Sequence, residues 1–492
     1  MEVMSVQPAT AVPKIGILVV AYNAVNTLAG VLDRIPSDFR SKISRVLVCD
    51  DHSQDATYLV GLGYQQVAPD LPITVIRHPR NLGYGGNQKA GYRMAIESGL
   101  DIIVLLHGDG QYAPECLPDI VAPLVRGECD AVFGSRMLVK GAARKGGMPL
   151  YKYVGNRILT KLENRMLGTD LSEFHSGYRA YSVKALANIP FEQNSDGFNF
   201  DTQIIIQLHD GGRRIVEIPI PTYYGDEICY VDGMKYAKDV TTDVLRYRFQ
   251  KVGFASGNLG HVGNDYSLKQ GDSSSHGHVL RWLKQMSPAR ILDLGCSSGL
   301  LGAKAKLLGH NVTGVDVLDI PAARERLDRY FVGDLENGIP EEVGGDYDIV
   351  LCADVLEHVR QPENLLQQIR EVLTPRGVVI GSVPNFGHWY SRGRTTLGLF
   401  DYDQRGLLDH GHVRFFTLRS LRRLVRAAGY DIVRIEYVGL PLEVLTAGER
   451  LPTRIVRYLD RLLVMLRPTL FAYQFVLQFQ VPPPAVVDEV HP

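Results

Sequence analysis

The sequence predicts an α/β protein of two domains, each built around a mostly parallel sheet. Three observations carry this expectation. Apolar runs of strand length alternate with amphipathic stretches in two separate series. A segment rich in Gly and Ser and poor in apolar periodicity, residues 251–277, lies between the series. The chain has 492 residues, which suggests two to four domains at ~100–200 residues each.

The first series opens with KIGILVVAYN (14–23) and continues through RVLVCDD (45–51), ITVIRHP (73–79), DIIVLLHGDGQ (101–111) and DAVFGSR (130–136). Between these lie helical patterns such as GNQKAGYRMAIESG (86–99). The second series opens with RILDLGC (290–296), followed by the helical pattern LGAKAKLLGH. It runs on through NVTGVDV (311–317), DRYFVGDL (328–335), YDIVLCADV (347–355), GVVIGSVPN (377–385), YDIVRIEYV (430–438) and LFAYQFVLQFQ (470–480). The organisation read from this is a first domain over 12–250, a linker over 251–277, a second domain over 278–481 and a disordered tail over 482–492. No sequence repeat of fixed period relates the halves.

Composition excludes several classes. Lys plus Arg is 53 and Asp plus Glu is 54, so bulk positive charge does not hold nucleic acid, and none is expected as a partner. No apolar run reaches the ~18–20 residues of a membrane span. The start, MEVMSVQPATAVPK, lacks the basic end and apolar core of a secretory leader. Six scattered cysteines without a CxxC pair read as reduced thiols, and the expected location is cytoplasmic.

In the first half, acids stand where buried strands end. Asp50 and Asp51 follow RVLVC, and Asp109 follows DIIVLLHG. In open parallel sheets, ligands bind in the crevice beyond the strand ends. A carboxylate there can accept from a base or ribose, or hold a divalent cation on a diphosphate. Asp55 reads instead as a helix cap. The pieces AYN (21–23), CDDHSQDAT (49–57), NLGYGGN (81–87), HGDGQYAPE (107–115), GSR (134–136) and FHSGYRAY (174–181) together resemble a family 2 glycosyltransferase of the GT-A fold, near the dolichol-phosphate mannose synthase group. The resemblance implies a Rossmann-like, nucleotide-sugar-binding domain. It places Tyr22, Asn23 and Asp51 on the nucleotide, and His107, Asp109, Gln111 and Arg136 at the donor. It makes Asp109 and Gln111 ligands of Mg²⁺ or Mn²⁺. It also sets Lys152 toward an acceptor phosphate and Lys235 on a loop that closes over the diphosphate. Three positions depart from the pattern: His107 replaces the first carboxylate of DxD, Ala24 an acid, and Val20 a proline. Asp201 and Glu173 are the candidates for a base should the acceptor be a hydroxyl.

In the second half, ILDLGCSSG (291–299) reads as a strand entering a glycine turn, and Asp316 closes the next strand about 20 residues on, where an acid suits a ribose. The turn lacks the GxGxxG that cradles a pyrophosphate. These motifs, with VGDLEN and YDIVLCADVLEHV, resemble the class I S-adenosylmethionine-dependent methyltransferases, in the group of ubiquinone-biosynthesis O-methyltransferases. The resemblance implies a second Rossmann-like domain with an antiparallel last strand. It implies that Asp293, Gly295, Gly299, Asp316, Asp334, Leu335 and Asp354 hold S-adenosylmethionine, and His358 becomes the candidate base. His410 and His412 are alternatives. Their HxH spacing is not read as a metal site, because the sequence shows no third ligand. Cys296 reads as a small packing residue of the turn.

Between Arg414 and Arg467 there are 11 arginines and no lysine. Arg450, Arg454, Arg457 and Arg461 recur at helical spacing beside an apolar stripe of Leu451, Ile455, Leu459, Leu462, Leu463 and Leu466. The favoured expectation is a helix packed on the sheet with a solvated basic edge. The alternative is a helix lying on an anionic membrane surface. The whole reads as a bifunctional enzyme of glycan or lipid-linked glycan assembly, with a polyprenyl phosphate or a glycan as acceptor. The competing reading keeps only the methyltransferase active and makes the first domain a nucleotide-sugar-binding scaffold.

Overall fold

The computed structural model describes residues 12–223, 231–255, 274–442 and 451–482, together with 257, 259 and 271. The chain divides into two compact units, with the division at Arg248/Phe249 and residues 258–263 belonging to the first.

The first unit carries a seven-stranded sheet: β1 (Ile15–Ala21), β2 (Ile43–Asp50), β3 (Ile73–Arg77), β4 (Ile102–His107), β5 (Ala131–Ser135), β6 (Arg179–Ser182) and β7 (Ile215–Pro219). The order is β3-β2-β1-β4-β6-β5-β7. All pairings are parallel except those of β6, which runs against β4 and β5. Strands β1 and β4 are fully apolar runs because helices cover both faces of the sheet. Register sets Val20 beside His107 and Ala21 beside Asp50, so the ends of β1, β2 and β4 open on one crevice. Two apolar clusters, one on each face, form the core. The five strands expected from the sequence are present. The additional two, β6 and β7, have only 4 and 5 residues.

The second unit carries β8 (Arg290–Leu294), β9 (Asn311–Asp316), β10 (Arg329–Val332), β11 (Tyr347–Ala353), β12 (Leu373–Pro384), β13 (Asp431–Val438) and β14 (Gln474–Gln480). The order is β10-β9-β8-β11-β12-β14-β13, with β14 antiparallel to both neighbours. Its strand order reverses between β8 and β11, the switch point where a doubly wound sheet opens a crevice. Both units are thus Rossmann-like layers, as the alternating pattern predicts.

Parts of the segment read as a linker are folded into the second unit. Phe254 packs on Tyr390 at 4.4 Å between ring centroids, and the Tyr473 hydroxyl donates to the Val252 carbonyl at 3.1 Å. The helix Ser275–Lys284 begins before 278 and buries Ser275 and His276. A single aromatic anchor among glycines leaves no periodicity to read. Beyond Pro482 the expected tail lies outside the described residues, as do Arg450 and the Leu451 side chain.

The arginine-rich segment requires a correction. The helix Leu451–Leu466 forms, but its apolar stripe is not packed on the sheet: Ile455, Leu459, Leu462, Leu463 and Leu466 are exposed. Instead, Asp460 accepts from the Leu440 backbone N–H at 3.2 Å, and Val464 is buried, so the opposite side of the helix faces the unit. No helix among the described residues is long and apolar enough to cross a membrane.

Candidate functional sites

Backbone strain marks both crevices. Among the described residues, five non-glycine residues have positive φ, and four of them lie just past strand ends: Asn23 after β1, His52 after β2, Ser297 after β8 and Asp354 after β11. Such conformations persist only where surrounding structure holds them, and they concentrate at functional sites.

In the first unit, Asn23 spans the crevice. Its N–H donates to Ser53 Oγ at 2.9 Å, and its Oδ1 accepts from the Gln54 N–H at 2.8 Å. Asp51 is buried and accepts from the N–H groups of Leu82 and Gly83 at 2.7 and 3.0 Å. The carboxylate therefore holds the NLG turn against the end of β2. Burial pushes its pKa up, partly offset by these bonds and by His78. Tyr22, just past β1, is 37 % exposed.

Past β4, Asp109 is exposed and receives the Gln111 N–H at 3.0 Å. Asp109 is open to solvent at the strand end, and Gln111, whose side chain carries a further oxygen donor, follows two residues on. This hard, open donor set fits a divalent cation shared with a diphosphate. His107 is placed differently. Its Nε2 lies 3.3 Å from the Tyr84 hydroxyl, its ring meets Tyr112 edge-on at 4.9 Å, and a Cβ on Gly177 would fall 2.5 Å from Nε2. Burial lowers its pKa, so it sits neutral in an aromatic enclosure.

Arg136 is buried against Glu173, with Nε–Oε1 at 3.0 Å and the Arg136 N–H on Oε2 at 2.7 Å. Asn156 donates to the same carboxylate at 2.8 Å. Burial alone raises Glu173, but the Arg136 charge and these bonds hold it below the usual range. Asp201 is similarly engaged: it accepts from the Tyr84 hydroxyl at 2.9 Å and lies 3.6 Å from the Arg179 guanidinium. Lys152 is half-buried in the first turn of the helix Leu150–Leu167, and Lys235 is exposed in the first turn of Gly233–Lys251. Leu150, Val154 and Ile158 form an exposed apolar stripe on the Lys152 helix.

Sequence reasoning missed a buried cluster behind this crevice. Glu163 Oε2 lies 3.2 Å from His175 Nε2, and His175 Nδ1 lies 2.8 Å from the Tyr236 hydroxyl. Burial pushes Glu163 up to about 8 and His175 down to about 4. At neutral pH both are uncharged, and Glu163 Oε2 and His175 Nε2, though close, make no hydrogen bond to each other.

In the second unit, Gly295 (φ 65°) turns the chain as it leaves β8, and a Cβ there would lie 2.9 Å from Val355. Gly299 (φ 72°) ends the same turn. Asp316 accepts from the N–H groups of Ser297 at 2.7 Å and Leu318 at 3.2 Å, which ties the glycine turn to β9. Asp293 is buried under the turn, and its Oδ2 has no hydrogen-bond partner. Burial, then the Asp316 charge, pushes it up to about 7. Asp334 is exposed and accepts from the Glu336 N–H at 3.0 Å, with Leu335 half-buried next to it. Asp354 accepts from Ser382 Oγ at 2.6 Å and Gln474 Nε2 at 2.5 Å. A glycine turn with open backbone, flanked by acids at the ends of β9 and β11, fits an adenosyl ligand. Cys296 is buried in this turn, and burial pushes its thiol well above the usual range.

His358 is exposed, and its Nδ1 lies 2.9 Å from the Gly411 carbonyl. That bond places the proton on Nδ1 and leaves Nε2 basic. Glu357, His358 and His412 offer donor atoms within 4.8 Å of one another, while His410 stands apart beside Asp409 at 3.4 Å. The HxH pair itself is not the ligand pair: His412 is joined by two donors from about 50 residues upstream, a distance no local motif bridges. Nitrogen and carboxylate donors in such a group suit a borderline cation.

These two crevices define a sugar-nucleotide-type site and an adenosyl-type site on separate sheets. Residues 16–189 match the Glycosyl transferase family 2 model, and residues 275–435 match a Methyltransferase domain model. The chain belongs to glycosyl transferase family 2 and joins to that domain a second one of the methyltransferase class. It is 30 % identical over 204 residues to the undecaprenyl-phosphate mannosyltransferase of Micrococcus luteus, spanning 41 % of this chain and 81 % of that one. It is 26 % identical over 218 residues to the UDP-N-acetylglucosamine–dolichyl-phosphate N-acetylglucosaminyltransferase of Methanococcus voltae, spanning 42 % and 85 %. The second unit is 35 % identical over 103 residues to the ubiquinone biosynthesis O-methyltransferase of Shewanella pealeana, spanning 20 % of this chain and 44 % of that one.

Proposed function

We propose that the first unit transfers a sugar from a nucleotide sugar to a polyprenyl phosphate, and that the second methylates a glycan or another small acceptor with S-adenosylmethionine. One observation carries the first assignment. Glu173 and Asp201, the carboxylates nearest to a base role, are each committed to a buried cationic partner. A phosphate acceptor is already an anion and needs no base. The exposed stripe of Leu150, Val154 and Ile158 beside Lys152 suits a lipid-linked phosphate, and the relatives from Micrococcus and Methanococcus are named for polyprenyl-type acceptors.

Asp109 and Gln111 would hold Mg²⁺ or Mn²⁺, and the ion supplies charge stabilisation for the departing diphosphate. Tyr22, Asn23 and Asp51 bind the nucleoside end. Arg136 acts from behind, keeping Glu173 and the 134–136 strand end in place, and Lys152 and Lys235 supply cations at the two phosphate ends. In the second unit, Gly295 and Gly299 admit the cofactor to the backbone, Asp316 takes its ribose, and Asp334, Leu335 and Asp354 border it. His358 Nε2 accepts the proton of a hydroxyl acceptor.

The test is a transfer assay with UDP- and GDP-sugars, polyprenyl phosphate and a divalent cation, beside labelled S-adenosylmethionine. Asp109→Ala should lose sugar transfer and keep methyl transfer; equal sugar transfer by variant and wild type refutes the assignment. A second reading, donor binding without turnover, is favoured by the enclosed, neutral His107 in place of a carboxylate. Saturable donor binding with no product across the acceptor panel establishes it.

A further inference from the structure

We infer that the helix Leu451–Leu466 of the second unit is a docking surface for an anionic lipid bilayer, independent of either active site. An ordinary surface helix turns its apolar side inward; this one is rolled the other way. Asp460 and Val464, one turn apart, face the unit: the first accepts the Leu440 N–H, the second is 7 % exposed. Residues follow one another at about 100° around a helix, which sets Ile455, Leu459, Leu462 and Leu466 on the side opposite this anchored pair. They are 53, 49, 40 and 67 % exposed.

Charge identifies the occupant. Arg454 and Arg461 lie along one edge of the apolar face and Arg467 follows its last turn, all three exposed, and the only acid from 451 to 467 is Asp460, which is turned inward. An apolar strip edged by arginines matches acyl chains below a layer of anionic headgroups. A second copy of the chain fits poorly, because a two-fold contact sets the same patch against itself and brings like-charged rows together. Tyr458, 69 % exposed near the arginine edge, has the amphipathic ring favoured at the headgroup level.

The experiment is flotation of the full chain with phosphatidylcholine vesicles, with and without phosphatidylglycerol. Neither contains a polyprenyl phosphate, so failure of the sugar-acceptor assignment does not affect the result. The wild type is expected to float only with the anionic vesicles, and less in high salt. Arg454→Glu/Arg461→Glu and, separately, Leu459→Ser/Leu462→Ser should each lower the bound fraction by roughly tenfold or more. All four side chains are exposed, so melting curves should stay at the wild-type position. Flotation of either pair at the wild-type level overturns the inference, as does a wild type that stays with the bulk. A dimer by light scattering that the leucine pair dissolves also overturns it, by assigning the face to self-association.

Discussion

Arg136 shows how one side chain separates packing from chemistry. Its guanidinium and backbone N–H bond Glu173, the guanidinium also donates to the His175 carbonyl at 2.9 Å, both groups are buried, and Asn156 adds a further bond to the carboxylate. Removing one partner of such a pair leaves the other charged and buried, at a cost of about 3–5 kcal/mol. Arg136→Ala should therefore lower the unfolding free energy of the first unit by that much, and Arg136→Met/Glu173→Leu should recover most of it. A variant that stays stable but loses donor binding would instead put the guanidinium on the phosphates. Glu163 gives a pH signature of its own. The folded state keeps it protonated up to about 8, while the unfolded carboxyl ionises near 4.5. The folded state then holds the extra proton, so stability falls as pH rises through that window. His175 acts oppositely between about 4 and 6.5, because there it is the unfolded state that binds the proton. Glu163 alone remains above 6.5, and a loss of at most about 2 kcal/mol is expected from there to pH 8. Denaturant titrations that follow the first unit should show this decline in the wild type and a clearly smaller one in Glu163→Gln.

At the scale of elements, the strand ends decide what is built. Gly177 leads into β6 and lets its backbone pass against the His107 ring and the Tyr84 hydroxyl, where a Cβ would fall 2.5 and 2.9 Å away. Gly177→Ala should displace both rings, costing about 1–3 kcal/mol by overpacking. It should weaken donor binding more than Gly63→Ala, a position with open space around it; equal binding in the two variants would detach β6 from the site. Gly177 also shows where sequence reading stops. Strands β1, β2 and β4, continuous apolar runs ending in Asn23, Asp51 and Asp109, announced both themselves and the crevice. β6 is a four-residue RAYS that runs antiparallel and carries the buried Arg179, so neither periodicity nor composition marks it. The Glu357–His358–His412 group escaped for a related reason: the loop bearing His412 is brought to the end of β11 only by the fold. In the helix Leu451–Leu466 the amphipathic pattern was legible, but which side faces the unit was not. That depends on Asp460 bonding to Leu440, a contact between side chain and remote backbone.

At the scale of the molecule, the two sheets have separate apolar cores, with Ile17, Val104 and Phe200 among those of the first unit and Leu292, Val350 and Phe475 among those of the second. Cooperative melting follows a shared core, so two such units have no reason to melt as one. Ligands then become reporters of which crevice they enter. A ligand that binds only the folded state stabilises it by about 2.7 kcal/mol at a hundredfold excess over its dissociation constant. In scanning calorimetry, S-adenosylhomocysteine should raise one transition and leave the other in place. UDP with Mn²⁺ should raise the other, and Asp109→Ala should abolish that second shift without touching the first. Substituting Gly295 by Ala sharpens the assignment: its φ of 65° and the nearby Val355 make a Cβ unfavourable, so the S-adenosylhomocysteine shift should shrink while the UDP shift persists. If each ligand raised both transitions together, the units would be energetically coupled. The two activities would then have to be treated as one linked system, not as neighbours on a chain.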